Sequence, residues 1–157
     1  MTRYSGRPFP PYRHLPGETP HPERSREGHM YGRQEPPARS LTENSWISND
    51  DFLYGVDLFN AGYFWEAHVY WERLWALPST EPGLRRFLQA LIQIAAACLK
   101  ARQGRVAGAT RLLDRARLEA FGAGKIGVDA GALASGARRF VEGKTSEPPS
   151  ISLEKSR

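Results

Sequence analysis

Residues 84–104 read LRRFLQALIQIAAACLKARQG, a run that places apolar residues on almost every side when it is wound as a helix. A helix of this composition has neighbours all round, so we expect it at the centre of a helical fold. Pro82 suits its first turn, Thr80 can cap its start, and Gly104 ends it. The run is therefore the element around which the other helices pack.

Helices are predicted on both sides of this run. Upstream, SNDD at 48–51 offers N-cap oxygens and negative charge for a first helix that stops at Gly62, and YFWEAHVYWERLWA at 63–76 forms a second helix. Downstream, helical periodicity covers about 105–121 and resumes after a cap at Asp129, ending at Val141. No stretch alternates as a strand does. The sequence predicts an all-α fold, a compact bundle of about five helices in antiparallel pairs.

The segments outside the helices differ from them in composition. Residues 1–45 hold eight of the twelve prolines and show no helical or strand period, so we expect an extended or disordered arm. The helical domain spans 46–143, and 144–157 is predicted to be a disordered tail. Apolar and aromatic residues occur throughout the arm, so we expect part of it, around Phe9 to Leu15, to dock on the helices.

The net charge of +5 is spread over the arm, the helical domain and the tail. Such a distribution predicts no nucleic-acid partner. The basic stretch 100–117 is interpreted as a solvated face, because Gly104 divides its charges between two helices; phosphate or nucleic-acid binding there is a weaker alternative. One cysteine, no long apolar run and an N-terminus without a hydrophobic signal segment predict a cytoplasmic protein with no membrane partner.

His68 and Glu72, one turn apart on the second predicted helix, are the sharpest candidates for chemistry. Because aromatic residues flank them, they are expected to form a buried hydrogen-bonded pair. One interpretation is a metal ligand pair or a general base oriented by a carboxylate, with His21 and His29 of the arm as weak further ligands. The favoured interpretation is a satisfied core histidine. Glu66 lies almost opposite on the helix and joins this site only if another element covers that side.

Aromatic residues concentrate in 46–75, which holds all four tryptophans. This density predicts a recognition surface for a protein or peptide partner, or a core covered by the chain's own arm. Two glutamines of the central helix are expected to be buried in a polar network with the second helix. The residues assigned to this candidate binding face are Phe59, Asn60, Phe64, Trp65, Trp71, Trp75, Gln89 and Gln93.

Four residues in and just before the second predicted helix have similar counterparts 42 residues later, around the fourth, and we call this recurrence the internal echo. It pairs Gly62, Ala67, Glu72 and Arg73 with Gly104, Ala109, Asp114 and Arg115. Each glycine ends a helix, and each alanine lets the next helix pack closely. The pattern also resembles a tetratricopeptide unit, but that repeat has a period of about 34 residues and several copies, so we interpret the echo as convergent packing of helix pairs.

The stretches LFNAGYFWEAHVYWERLW (58–75), LQALIQIAAACLKARQGRVAGATRLL (88–113) and GVD (127–129) together resemble the domain of unknown function 309 family. The matching positions are Phe59, Asn60, Gly62, Phe64, Glu66, Ala67, His68, Trp71, Glu72, Trp75, Gln89, Gln93, Gly104, Gly108 and Ala109. Val69 departs from the family pattern, which usually has a second glutamate there. The resemblance covers about 52–141 and implies a small helical, cytoplasmic, bacterial protein without an established activity.

These observations lead to one favoured function and one alternative. We favour a non-enzymatic interaction module that uses its aromatic helix face. The alternative is a metal-dependent or acid/base hydrolase built on His68 and Glu72. No cofactor is predicted, because the sequence contains no glycine-rich phosphate loop, serine elbow or cysteine pair.

Overall fold

The computed structural model of the chain describes residues 1–118 and 123–154. Five α-helices follow one another in this part of the chain: α1 Asp50–Asn60, α2 Phe64–Trp75, α3 Pro82–Arg102, α4 Val106–Arg115 and α5 Ala130–Val141. Short 3-10 helices, Trp46–Ser48 and Ala123–Ile126, precede α1 and α5. The described residues contain no β-strand, only an isolated antiparallel bridge between Val128 and Leu153. The prediction of an all-α bundle is confirmed.

α1 and α2 form the first helix pair. α1 begins where the side chain of Asn49 accepts a hydrogen bond from Phe52 N at 3.0 Å, as the SNDD cap predicts. Gly62 has a φ of 83°, a left-handed conformation that lets the chain turn at once into α2. A β-carbon on Gly55 would lie 2.2 Å from the indole nitrogen of Trp71. The two helices therefore approach so closely that only glycine fits at their crossing.

α3 is the central helix and packs against α2, α4 and α5. Pro82 lies in its first turn as predicted, but Thr80 does not cap it, because the Thr80 hydroxyl donates instead to the carbonyl oxygen of Leu74 at 2.7 Å. Burial raises the pKa of the Cys98 thiol to about 12, so Cys98 is an inert core residue. Neither α3 nor any other described helix combines the length and apolarity needed to cross a membrane.

α4 and α5 complete the bundle beside α3. Gly104 turns the chain into α4 with a φ of 76°, and Ala109 is fully buried, so the internal echo reflects two similar helix pairs. α4 ends at Arg115, short of the predicted 121, because Ala116 has extended backbone angles. Residues 119–122 lie outside the described residues. The side chain of Asp129 accepts a hydrogen bond from Ala132 N, three residues later, at 3.0 Å and caps α5 as predicted.

The C-terminal segment differs from the predicted disordered tail as far as residue 154. Asn60, at the end of α1, makes two hydrogen bonds to the backbone of Ile151, at 2.6 and 2.8 Å. The side chain of Ile151 is buried in the core. A side chain distant in sequence thus holds this segment, and nothing within the segment itself signals that contact.

Candidate functional site

The predicted His68–Glu72 pair lies on an outward face of α2. His68 Nε2 is 3.4 Å from Glu72 Oε2, and the two side chains are 31% and 52% exposed. The four-residue spacing places them on one face, as predicted, but the prediction that this face is buried is wrong. The physical reason is that the flanking Trp65 and Trp75 are themselves only partly buried and leave the pair open to solvent. The buried side of α2 carries Phe64, Glu66, Ala67, Tyr70, Trp71 and Leu74.

The other predicted binding residues are divided between the core and the surface. Phe59, Phe64 and Trp71 are fully buried in the bundle and cannot contact a partner. Gln89 is exposed and Gln93 only partly buried, so the predicted buried amide network is wrong. Both lie on sides of α3 that its neighbours leave open. Asn60 binds the C-terminal segment, as described above. The candidate face therefore does not exist as one surface.

A different site lies beneath the N-terminal arm, and two buried carboxylates hold the arm there. Asp57 of α1 is fully buried and accepts three hydrogen bonds of 2.9 Å, from Arg3 Nε, Tyr4 N and Ser5 N. An ionised carboxylate is costly to bury unless several donors satisfy it. Asp57 therefore depends on the arm for its partners, and the arm is anchored at its start by Asp57.

Glu66 of α2 is the second buried carboxylate. Its Oε2 accepts hydrogen bonds from His14 N at 3.0 Å and pairs with His29 Nε2 at 2.7 Å, while its Oε1 is buried without a partner among the described residues. The side chains of His29 and Glu66 are 3% and 1% exposed. The arm is the element that covers the side of α2 opposite His68. The sequence shows that Glu66 needs another element to cover its side of α2, but it does not show that the arm is that element.

Between these anchors the arm lies extended across tyrosine rings. The hydroxyl of Tyr54 donates to the carbonyl oxygen of Pro8 at 2.7 Å, and that of Tyr63 donates to Pro10 at 3.0 Å. Phe9 stacks on Tyr63 with a centroid distance of 5.2 Å and an interplanar angle of 16°. Hydroxyl donors and flat rings suit a proline-rich backbone, which offers carbonyl oxygens and ring surfaces but few N–H groups.

Arg7 occupies a pocket between this backbone and the helices. Its guanidinium carbon lies 4.2 Å from the ring centre of Tyr54 and 4.8 Å from that of Tyr70. Its nitrogens donate to Asp51 at 3.1 Å, Glu35 at 3.1 Å and the Tyr70 hydroxyl at 2.9 Å. Burial raises the pKa of Tyr70, and the hydrogen bond that it donates to Glu35 raises it further. The pocket thus combines aromatic faces with carboxylates, the two features that bind a guanidinium best.

Two of the three arm histidines lie beside Trp65, and the third, His29, pairs with Glu66. The rings of His14 and His21 contact Trp65 edge to face, with centroids 5.0 and 5.5 Å away. Burial, then the neighbouring His21 and His29, lower the pKa of His14. Over residues 1–118 and 123–154, no three His, Cys, Asp or Glu side chains are grouped so that they could hold a metal ion. The weak metal candidates His68, Glu72, His21 and His29 are therefore not brought together as one ligand set.

Sequence reasoning missed Asp57, Glu66 and Arg7 as site residues, although one signal was present. Asp57 and Glu66 are acidic residues at positions that face inward on otherwise apolar helix sides. A charge at such a position needs a donor from elsewhere in the chain. The arginine- and proline-containing arm supplies these donors, but only the folded arrangement identifies which residues do so.

No curated protein and no solved structure matches the chain. The family model described as Domain of unknown function (DUF309) matches residues 52–112, from the first turn of α1 into α4, which confirms the resemblance seen in the sequence. The arm and the residues after 112 lie outside the match. Over residues 52–112, therefore, the chain is similar to the domain of unknown function 309 family.

Proposed function

We propose that the face of α1 and α2 is a non-enzymatic recognition groove for extended segments that contain proline and arginine, and that the N-terminal arm is its built-in occupant. The observation that carries the proposal is the way the arm is held. Tyrosine hydroxyls donate to the carbonyl oxygens of Pro8 and Pro10, and the intervening Phe9 stacks on a tyrosine ring. This is the chemistry by which aromatic grooves bind polyproline-like peptides.

The backbone contacts favour a proline-rich occupant for an entropic reason. Ordering an extended segment costs about 1–2 kcal/mol per residue, and proline reduces this cost because its φ is already restricted. The groove adds hydrogen bonds to carbonyl oxygens, which every proline retains. A partner segment of the same kind would therefore bind at a lower entropic cost than a flexible peptide.

The Arg7 pocket supplies the specificity for a charged side chain. Two rings and three carboxylates, those of Glu35, Asp50 and Asp51, surround the guanidinium. A planar guanidinium stacks on rings and donates along several directions, whereas a lysine ammonium does neither to the same extent. We expect a partner segment to place an arginine directly before its proline-aromatic-proline stretch, as the arm does at 7–10.

The proposal is tested by making the arm exchangeable. A specific protease site is inserted between Gly32 and Arg33, where the chain is exposed. After cleavage of the full chain, a labelled peptide of residues 1–32 is added and its binding is followed by fluorescence anisotropy. We expect saturable exchange with the cleaved arm, and binding weaker by about tenfold or more for a peptide carrying Arg7→Ala.

A peptide carrying Arg26→Ala is the matched control, since Arg26 is an exposed arginine of the same arm. It should bind as the unaltered peptide does. Equal weakening by the two substitutions would contradict a specific arginine pocket. Loss of helical circular dichroism when the arm leaves would also contradict the proposal, because the arm would then be part of the core rather than an occupant.

A further inference from the structure

A cavity of about 180 Å³ lies between the arm and the first helix pair. Glu66, His29, Tyr54 and Tyr70 are in its lining. Small-molecule sites for larger ligands measure about 300–1,000 Å³. This cavity therefore suits a ligand of only a few non-hydrogen atoms.

One oxygen in this lining has no hydrogen-bond partner. Glu66 is buried, and its Oε2 accepts from His14 N and pairs with His29, whereas its Oε1 has no donor among the described residues. Buried polar atoms almost always have a partner, and an unpaired carboxylate oxygen is especially costly. A group in the cavity that donates a hydrogen bond to Oε1 would meet this need.

The other polar groups of the lining are largely occupied. The hydroxyls of Tyr54 and Tyr70 donate to Pro8 and to Glu35. Arg7 is held by Glu35, Tyr70 and the carboxylate of Asp51. One buried oxygen of this lining, Glu66 Oε1, lacks a donor. At the exposed edge, the guanidinium of Arg33 makes no hydrogen bond or ion pair in the described part of the chain, so it is free to meet an anion.

We infer that this cavity binds a small α-amino acid, whose ammonium group donates to Glu66 Oε1 and whose carboxylate faces Arg33. The ammonium supplies the missing donor together with a charge opposite to that of Glu66. The carboxylate matches the guanidinium of Arg33. A purely cationic ligand would leave Arg33 unmatched, and a purely anionic one would lie against Glu66 unfavourably. The site shares Tyr54 and Tyr70 with the recognition groove and is closed by the docked arm, so it exists only while the arm occupies the groove.

The inference is tested on the full chain with glycine as the probe. Isothermal titration calorimetry should detect saturable binding at glycine concentrations below about 10 mM. N-acetylglycine, which lacks the ammonium group, should bind about tenfold more weakly or not at all. Arg33→Ala should also weaken glycine binding, and because Arg33 is exposed this variant should fold normally.

Glu66→Gln is the decisive variant, and we expect it to reduce glycine affinity by about tenfold or more. Glu72→Gln is its matched control: it makes the same change on the same helix, at a side chain that is 52% exposed and lies outside the cavity lining, so glycine binding should persist. If Glu66→Gln fails to fold, the comparison of glycine with N-acetylglycine on the unaltered chain decides. Equal affinity for the two probes, no saturable glycine binding, or unchanged affinity in Glu66→Gln would overturn the inference. Failure here leaves the peptide-exchange result unaffected.

Discussion

Asp57 is the single residue on which the start of the arm depends most. It is fully buried, and all three of its donors come from residues 3–5. In the Asp57→Ala variant, the N–H groups of Tyr4 and Ser5 lose their acceptor. We expect a loss of about 1–3 kcal/mol in the free energy of unfolding. Urea unfolding followed by circular dichroism measures this loss, and amide exchange should show reduced protection at residues 4 and 5.

Asp114 provides the control for that substitution. It also forms an ion pair, with Arg138 at 2.9 Å, but the two side chains are 61% and 43% exposed. Exposed pairs contribute about 0–1 kcal/mol, so Asp114→Ala should change the free energy of unfolding by less than Asp57→Ala does. Equal losses in the two variants would show that Asp57 has no special anchoring role.

For His68, in contrast to Asp57, we expect that substitution has little effect on stability. A buried histidine paired with a carboxylate would destabilise the fold when removed, but here both partners are partly exposed. We expect His68→Ala to lower the free energy of unfolding by about 0.5 kcal/mol or less. Thermal and urea unfolding of this variant beside Glu72→Ala measure the effect. A loss of several kcal/mol would mean that the pair is enclosed after all.

At the scale of elements, the crossing of α1 and α2 is the most sensitive point. A methyl group at position 55 would lie 2.2 Å from the indole nitrogen of Trp71, which is itself fully buried. The helices must separate or the indole must move, so Gly55→Ala should cost about 1–3 kcal/mol despite the better helix propensity of alanine. Urea unfolding measures the difference.

Gly83 is the matched control for this crossing. It lies in the first turn of α3, and a β-carbon there would have nothing within 4 Å. Gly83→Ala should be neutral or stabilising by up to about 1 kcal/mol, because alanine loses less backbone entropy. If both alanine variants were equally stable, the close approach at Gly55 would not limit the packing.

Most helix boundaries were predictable because their causes are local. Asn49 and Asp129 cap the following helix through their own side chains, and Gly62 and Gly104 reverse the chain through their own backbone angles. The end of α4 was not predictable from the same signals. The periodicity of 105–121 continues past Arg115, yet the chain becomes extended at Ala116. There, contacts beyond the local sequence determine the conformation.

At the scale of the whole molecule, the arm couples folding to pH through His14. Burial disfavours the charged form of His14 and lowers its pKa from the ordinary value of 6.5, and the nearby His21 and His29 act in the same direction. Below about pH 6.5, the unfolded state therefore binds more protons at this site than the native state does. The contribution of His14 to the free energy of unfolding is therefore fully present above about pH 6.5 and is lost as the pH falls below that value.

We therefore expect the free energy of unfolding to decrease between about pH 7.5 and pH 5.5, and to decrease less in a His14→Gln variant. Urea unfolding of both proteins at the two pH values measures the contribution of this one residue. The same decrease in both proteins would assign the pH response to other groups.

The fold follows from properties that each stretch of sequence carries alone. The apolar periodicity of residues 84–104, the caps and the glycine stops determine five helices and place one of them at the centre, because hydrophobic burial and local hydrogen bonds act along a single element. The site depends instead on residues far apart in sequence. Glu66 and His29 meet, and Arg7 lies between two tyrosines, only because the arm folds back over α1 and α2. Helical spacing identifies residues that share a face, but only tertiary packing decides which face is covered, and so His68 is exposed while Glu66 is buried.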